Sequence, residues 1–389
     1  KLLIFISLPT VLVVRTAYIL ISESIEKDGS RIWEDLSVLE KSEFLTGPFY
    51  PNMFVHRTEY GDQPKPVGFG VPKDVIWERD KYGFRKKQID KENIDIVVIG
   101  DSFIAGSTLT QTDMFTEKLE KITGSTTYPY APSHINTFIN DKRFISHPPK
   151  IVVLAEAEKL FQDVPEINIE LKPNTSSLLL DFVKFNDNVQ KAAVIYDRLK
   201  KKYFFDYMRV KVYVILEEFR INLVNSFKKS AALSNAISKE DSLPPGIQDN
   251  PGFNMAIDGS MVFSIQADDY FVPLSDKQVN FHIWKMKGYQ SYLKEHGIRF
   301  IVAVIPNKEN IYYKFMRGNK NKPDFIKRFN EKAKKEGLEI ADIQGAFDRS
   351  YNNNPSDIIF QVDDSHWNAK GAEIAAKEVA KVIYEQSSN

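Results

Sequence analysis

Residues 94–103 read Ile-Asp-Ile-Val-Val-Ile-Gly-Asp-Ser-Phe, and this stretch decides the fold. Its β-branched, almost continuously apolar first half predicts a strand buried on both faces. Strands of that kind belong to parallel sheets covered by helices on either side. In such sheets the working side chains gather at the carboxyl ends of the strands, and Ser102 stands there. Gly100 and Gly106 allow the tight backbone path that presents a serine on a sharp strand-to-helix turn.

Working outward, the same alternation recurs. A helix is predicted over 112–123, with Gly124 as its C-cap, then a short strand over 126–130 and a buried strand over 151–154. Later come a helix over 279–296, a strong strand over 298–305, a helix over 324–335, a short strand over 338–343 and a closing helix over 369–384. Strand–helix alternation with apolar strands predicts an α/β fold around a parallel sheet.

The chain has 389 residues, 43% hydrophobic and 27% charged, with a formal net charge of zero. That balance is globular, and no global field recruits nucleic acid. There is no cysteine, so disulfides and thiolate metal sites are excluded. The six histidines show no HxH or HExxH spacing, which argues against a metal hydrolase. No cofactor is called for.

Domain organisation follows from composition. Residues 1–22 are nearly all apolar and long enough to cross a bilayer, and no small-residue cleavage site follows. An uncleaved signal anchor is expected there, although Arg15 and Pro9 interrupt it. Residues 23–93, rich in turn formers, read as an extended lead-in with short strands. The sheet domain is expected over 94–163 and 255–389. Between them, 164–254 read as a helical insertion, with Phe205, Met208, Val212, Leu216, Phe219, Leu223 and Phe227 forming an apolar stripe. Its basic side, over 201–229, is either a solvated face or a surface that touches membrane or a membrane partner.

Near the C-terminus stands Asp363-Asp364-Ser365-His366-Trp367-Asn368. A serine hydroxyl is a weak nucleophile and needs a base within reach, itself oriented by a third group. His366 supplies a base, and Asp363 or Asp364 could accept its Nδ1–H. Each motif alone is weak, since Gly-Asp-Ser is also an ordinary turn and either aspartate could cap a helix. Together, at the proper ends of an α/β pattern, they point to a Ser-His-Asp hydrolase or acyltransferase. The Ser102 N–H is the first oxyanion donor.

These motifs resemble the SGNH/GDSL hydrolase superfamily, and within it the group related to the alginate O-acetylation proteins of the AlgX and AlgJ type. Four stretches carry the resemblance: Tyr82-Gly83-Phe84-Arg85, Gly100-Asp101-Ser102-Phe103, Ile305-Pro306-Asn307-Lys308-Glu309-Asn310-Ile311-Tyr312, and Asp364-Ser365-His366-Trp367-Asn368. It covers roughly residues 82–160 and 255–385. The resemblance implies a three-layer flavodoxin-like SGNH fold. It implies extracytoplasmic acetyl transfer to, or removal from, a cell-surface polysaccharide, beside a membrane-bound O-acyltransferase. It implies Ser102, His366 and an aspartate as the catalytic set. The group's Asp-x-His spacing selects Asp364; the wider superfamily's Asp-x-x-His spacing selects Asp363 as the alternate.

The chain also departs from the pattern. The Asp-x-His element follows the serine here, whereas it precedes it in the alginate proteins. Ala155-Glu156-Ala157-Glu158-Lys159 holds no asparagine, and Tyr128-Pro129-Tyr130-Ala131-Pro132-Ser133-His134 no glycine, to complete an oxyanion hole. Lys308 and Tyr312 are the substitutes considered for oxyanion or substrate binding, with Trp367 beside them; loop packing is the bland alternative for all three. Glu156 and Glu158 are either supporting groups or plain strand-end carboxylates. A non-catalytic polysaccharide-binding or assembly subunit is the competing reading.

Overall fold

The computed structural model describes residues 14–16, 31–65, 68–87, 93–169, 184–201, 254–318 and 320–385. The apolar stretch 1–22 falls outside them except for 14–16, as does the basic part of the insertion beyond residue 201. No described helix is long and apolar enough to cross a membrane.

Five parallel strands form the centre. They are β3 (Ile96–Gly100), β4 (Thr127–Tyr130), β5 (Ile151–Ala157), β8 (Arg299–Ile305) and β9 (Glu339–Ile340). Their order across the sheet is β4-β3-β5-β8-β9, with every neighbouring pair parallel. Counted within the sheet this is the 2-1-3-4-5 order of flavodoxin-like folds, which opens a crevice at the β3 carboxyl end, where the chain turns to opposite sides.

Period-two geometry sends alternate side chains to opposite faces. Ile96, Val98, Val153, Ala155, Ile301 and Ala303 pack with one layer, which includes Phe115, Leu119, Phe347, Ala376 and Val379. Those residues belong to the helices Phe115–Thr123, Ile343–Asn353 and Ala369–Glu385. Val97, Ile99, Val152, Leu154, Phe300 and Val302 face the other layer. Its helices are Asp276–Glu295 and Phe325–Lys335. The result is the expected three-layer α/β arrangement.

Helix ends follow their local chemistry. Ser275 and Gln278 form a capping box at the start of Asp276–Glu295, and Gly124 closes Phe115–Thr123 in the left-handed region. Two local expectations change. The sequence predicts one strand over 338–343, but only Glu339–Ile340 pair. The Asp342 carboxylate accepts the Gly345 N–H at 3.1 Å and caps a helix over Ile343–Asn353. The turn after Ser102 does not enter a helix directly. Residues 101–109 wind through turns, a short 3-10 segment spans Gln111–Asp113, and the helix begins at Phe115.

The residues before the sheet form a hairpin of β1 (Phe54–Glu59) and β2 (Lys73–Glu78) that packs into the first core layer. Trp77 is fully buried and meets Phe49 edge-on at 5.2 Å. Inside the hairpin the Arg57 guanidinium donates to Asp35 at 2.8 Å, so two buried charges are paired. Small antiparallel strands β6 (Asn254–Met255) and β7 (Val262–Phe263) sit before the helix Asp276–Glu295. Of the insertion, residues 164–169 and 184–201 are described, the latter helical over 187–201.

Candidate active site

Ser102 occupies the first turn beyond β3. Gly100 makes the turn possible: a Cβ there would overlap the Ala155 carbonyl oxygen of the neighbouring strand. The turn closes with the Ala105 N–H donating to Asp101 O at 3.0 Å and the Ser107 N–H to Ser102 O at 3.0 Å. This leaves the Ser102 N–H out of the turn's own hydrogen bonding. The Asp101 carboxylate is a latch: it accepts the Phe103 N–H at 2.8 Å and the Ala157 N–H at 3.1 Å, tying the β3 and β5 ends together.

The distant C-terminal motif closes onto this turn. His366 Nε2 lies 2.7 Å from Ser102 Oγ, and His366 Nδ1 lies 2.5 Å from Asp364 Oδ1. Asp364 also accepts the His366 backbone N–H at 2.9 Å and is wholly buried. Burial opposes the imidazolium, but the Asp364 charge and hydrogen bond, then the Asp62 charge, outweigh it. The net shift of His366 is upward from its ordinary value. Phe103 packs on the His366 ring at 4.7 Å and meets Trp367 edge-on at 5.1 Å, fixing the imidazole from below.

Asp363 points elsewhere. It forms an ion pair with Lys73 at 2.7 Å and accepts the Gly61 and Val71 N–H groups at 3.0 and 2.9 Å. It fastens the β1–β2 loop. Of the two aspartates, only Asp364 is hydrogen-bonded to the histidine.

Three residues considered for oxyanion or substrate binding do other work. Lys308 is buried, and its ammonium donates to the carbonyls of Val262 and Gln361 at 2.7 Å and of Val362 and Asp364 at 3.2 Å. Burial pushes its pKa down to about 8. With its three protons spread over four carbonyls, it staples the loop that carries Asp364 rather than facing an oxyanion. The Tyr312 hydroxyl accepts the Ile359 N–H at 2.9 Å inside the core. Trp367 is fully buried and stacks on Phe115 at 5.9 Å, so it presents no platform to a sugar.

Two groups missed by sequence reasoning also stand here. Asp62, in the β1–β2 loop, places Oδ2 3.7 Å from His366 Nδ1. Only the folded hairpin brings it there, and the local reading, a polar turn, carries no hint of it. Lys159, half-buried on the helix Glu158–Phe161, has a charge that reaches both His366 and Asp101. Asp62, Asp364 and His366 present ligand-type atoms within 4.8 Å of one another. Their lone pairs are directed at each other's protons and at Ser365, as a hydrogen-bonded relay requires.

Glu156 and Asp101 sit side by side at the ends of β5 and β3. Burial, then the Asp101 charge, pushes Glu156 up to about 9, so it holds a proton at neutral pH. The sign is fixed. A carboxyl raised on folding binds its proton more tightly in the native state, so stability falls as pH rises from about 4.5 towards 9. Glu156→Gln is therefore expected to raise stability by about 2–5 kcal/mol at pH 8 and to change it little at pH 4. Urea denaturation at the two pH values checks this; equal effects at both would show that Glu156 is ionised in the fold.

Grooves of about 480 and 310 Å³ lie away from Ser102, one lined by Leu45, Ala193 and Tyr196, the other by Phe138, Tyr292 and Leu293.

Comparison with known proteins finds two similarities. A family model described as an SGNH hydrolase-like domain, acetyltransferase AlgX, matches residues 266–389. That span holds Asp364 and His366; Ser102 lies outside it and joins them only in the fold. A protein named probable alginate O-acetylase AlgJ, from Pseudomonas putida, is 23% identical over 128 residues, 31% of this chain. The match spans 32% of the relative's own length. Over residues 266–389 this chain resembles the SGNH hydrolase-like domain of AlgX, and over 128 residues it is similar to the AlgJ relative, which together make it similar to the AlgX and AlgJ group of SGNH-like proteins.

Proposed function

We propose that this protein is a serine-dependent O-acetyltransferase or acetylesterase acting on a cell-surface polysaccharide. The observation that carries the reading is the unbroken relay from Ser102 through His366 to Asp364, with links of 2.7 and 2.5 Å. His366 Nε2 takes the proton from Ser102 Oγ as Oγ bonds to the acetyl carbonyl carbon. The imidazolium then returns that proton to the leaving group, and acetyl-Ser102 remains. A sugar hydroxyl, or water, repeats the sequence in reverse. The Ser102 N–H is the group available to the oxyanion. The choice of a polysaccharide rests on the AlgJ relative, a probable alginate O-acetylase. An extracytoplasmic place, anchored by residues 1–22 and supplied by a membrane-bound O-acyltransferase, completes the proposal.

The test is nitrophenolate release from p-nitrophenyl acetate by the full chain in detergent, with and without an acetyl-accepting oligosaccharide. Ser102→Ala and His366→Ala are each expected to lose at least about a thousandfold. Acetylated sugar among the products identifies a transferase; acetate alone identifies an esterase. Release that persists in Ser102→Ala overturns the assignment. One observation favours a second reading, a non-catalytic binding or assembly subunit: the β4 and β5 ends lack the glycine and asparagine of a full oxyanion hole. A folded wild type that a fluorophosphonate fails to label at Ser102 would favour it.

A further inference from the structure

The β1–β2 loop holds more than the outer wall of the site. Asp62 Oδ1 accepts the Ser365 N–H at 2.9 Å and the Gln63 side-chain amide at 2.9 Å. Its Oδ2 accepts the Ser365 hydroxyl at 2.8 Å and lies 3.7 Å from His366 Nδ1. Its backbone N–H donates to Asp364 Oδ2 at 3.1 Å. Asp62 and Asp364 are thus interlocked around one imidazole.

Docking the loop does not require this charge. Asp363 already accepts Gly61 and Val71 N–H groups and pairs with Lys73, and the Gln63 N–H reaches the Asp363 carbonyl. Gly61 packs so closely that a Cβ would overlap the Asp363 carbonyl oxygen. A second carboxylate in this place is costly to bury unless it has a partner of opposite charge. Burial alone would raise Asp62, yet the His366 charge and the Ser365 and Gln63 hydrogen bonds hold it well below the usual carboxylate range.

We propose that Asp62 is a positioning residue for His366, a second carboxylate that shares with Asp364 the imidazolium formed when Ser102 gives up its proton. The inference rests on the reading of Ser102 as nucleophile. Asp62 touches no reacting atom; it acts through Nδ1 and through Ser365. The other charges facing His366 are Asp364 on its own loop, Asp101 beyond β3 and Lys159 beyond β5. Arg31 approaches Asp62 at 3.8 Å from the far side of the hairpin, and Lys308 lies beneath the Asp364 carbonyl.

The experiment is the titration of His366 by NMR in the full chain carrying 15N-histidine, with its signal assigned by His366→Gln. A nearby negative charge favours the imidazolium, so its removal lowers the pKa. Asp62→Asn is expected to lower the His366 pKa by about one unit. The acidic limb of kcat/KM moves to lower pH with it, and the plateau falls roughly tenfold. Asp62→Glu, which keeps the charge, should recover most of both. Ser365→Ala, which unties the carboxylate with every charge retained, should shift the titration less and in the same direction. A His366 pKa unmoved in both Asp62→Asn and Ser365→Ala overturns the proposal, whatever the turnover. A shifted pKa in a protein without Ser102-dependent turnover overturns the enzymatic reading and leaves the Asp62–His366 coupling standing.

Discussion

Asp364→Asn is expected to lower kcat by three to four orders of magnitude, roughly the loss seen when the orienting aspartate of a serine triad is amidated. The cause is a tautomer. Asp364 Oδ1 receives both the His366 backbone N–H and Nδ1, at 2.9 and 2.5 Å. An asparagine there can turn its NH2 towards the ring, which favours the proton on Nε2. Nε2 then faces Ser102 Oγ as a donor and cannot accept its proton. The change is isosteric, but the new NH2 must face a backbone N–H, that of His366 or of Asp62, so a loss of about 1–3 kcal/mol in stability is expected beside the loss of turnover. Asp363→Asn is the contrast. It breaks the Lys73 ion pair at the edge of the site, with an expected loss of about 1–3 kcal/mol in stability. Its kcat should stay within about tenfold of wild type, since Asp363 does not touch the imidazole. Turnover and urea denaturation of both variants decide between the two aspartates. Abolished turnover in a stable Asp363→Asn, with Asp364→Asn active, would reverse the assignment.

How much of this was legible depends on how local each signal is. β3, β5 and β8 are short apolar runs bounded by turn formers, and their burial is written in their own residues. Ser102, Asp364 and His366, which the fold brings together, can be singled out in the sequence because each motif is contiguous and lies at a strand or helix end. For Lys308 and Tyr312 the sequence leaves substrate binding and loop packing side by side, because it shows a cation and a phenol but not their neighbours. Four carbonyls converge on Lys308 only once β7 and the 361–364 loop fold over it. Asp62 was invisible for the same reason: its partners lie about 300 residues away, as the Ser365 contact shows at a separation of 303. The hairpin was read as a lead-in because turn-rich composition hides the inward row of Val55, Arg57 and Glu59, two of which are charged. Their burial depends on Asp35 and on the Ile32 N–H, which no periodicity reports.

Arg85→Ala carries the largest expected loss of stability. Arg85 is fully buried, with its guanidinium 4.0 Å above the Trp77 ring. Its donors reach Gln111 Oε1 and the Ala105 carbonyl at 3.2 Å, the Ile76 carbonyl at 2.8 Å, the Leu109 carbonyl at 2.5 Å and the Gly106 carbonyl. One planar cation thus spans β2 and the whole turn that follows Ser102. Truncation strands those acceptors and empties the space over Trp77. Each unsatisfied buried group costs about 1–3 kcal/mol, so with partial rescue by entering water a total of roughly 3–5 kcal/mol is expected. Burial draws the guanidinium pKa down to about 9, and the cost of burying this cation is offset by its hydrogen bonds to the carbonyls and its stacking on Trp77. Arg85→Lys tests that distinction. A lysine keeps the charge but offers three donors from one point, and it should recover less than half of the loss. Urea denaturation measures both variants, and wild-type stability in Arg85→Ala would show that the turn holds itself. The rate of fluorophosphonate labelling at Ser102 then reads the turn directly. Ser102 stands on a run of turns rather than at a helix start, and Arg85 braces the far part of that run, at Ala105, Gly106 and Leu109, from the hairpin side.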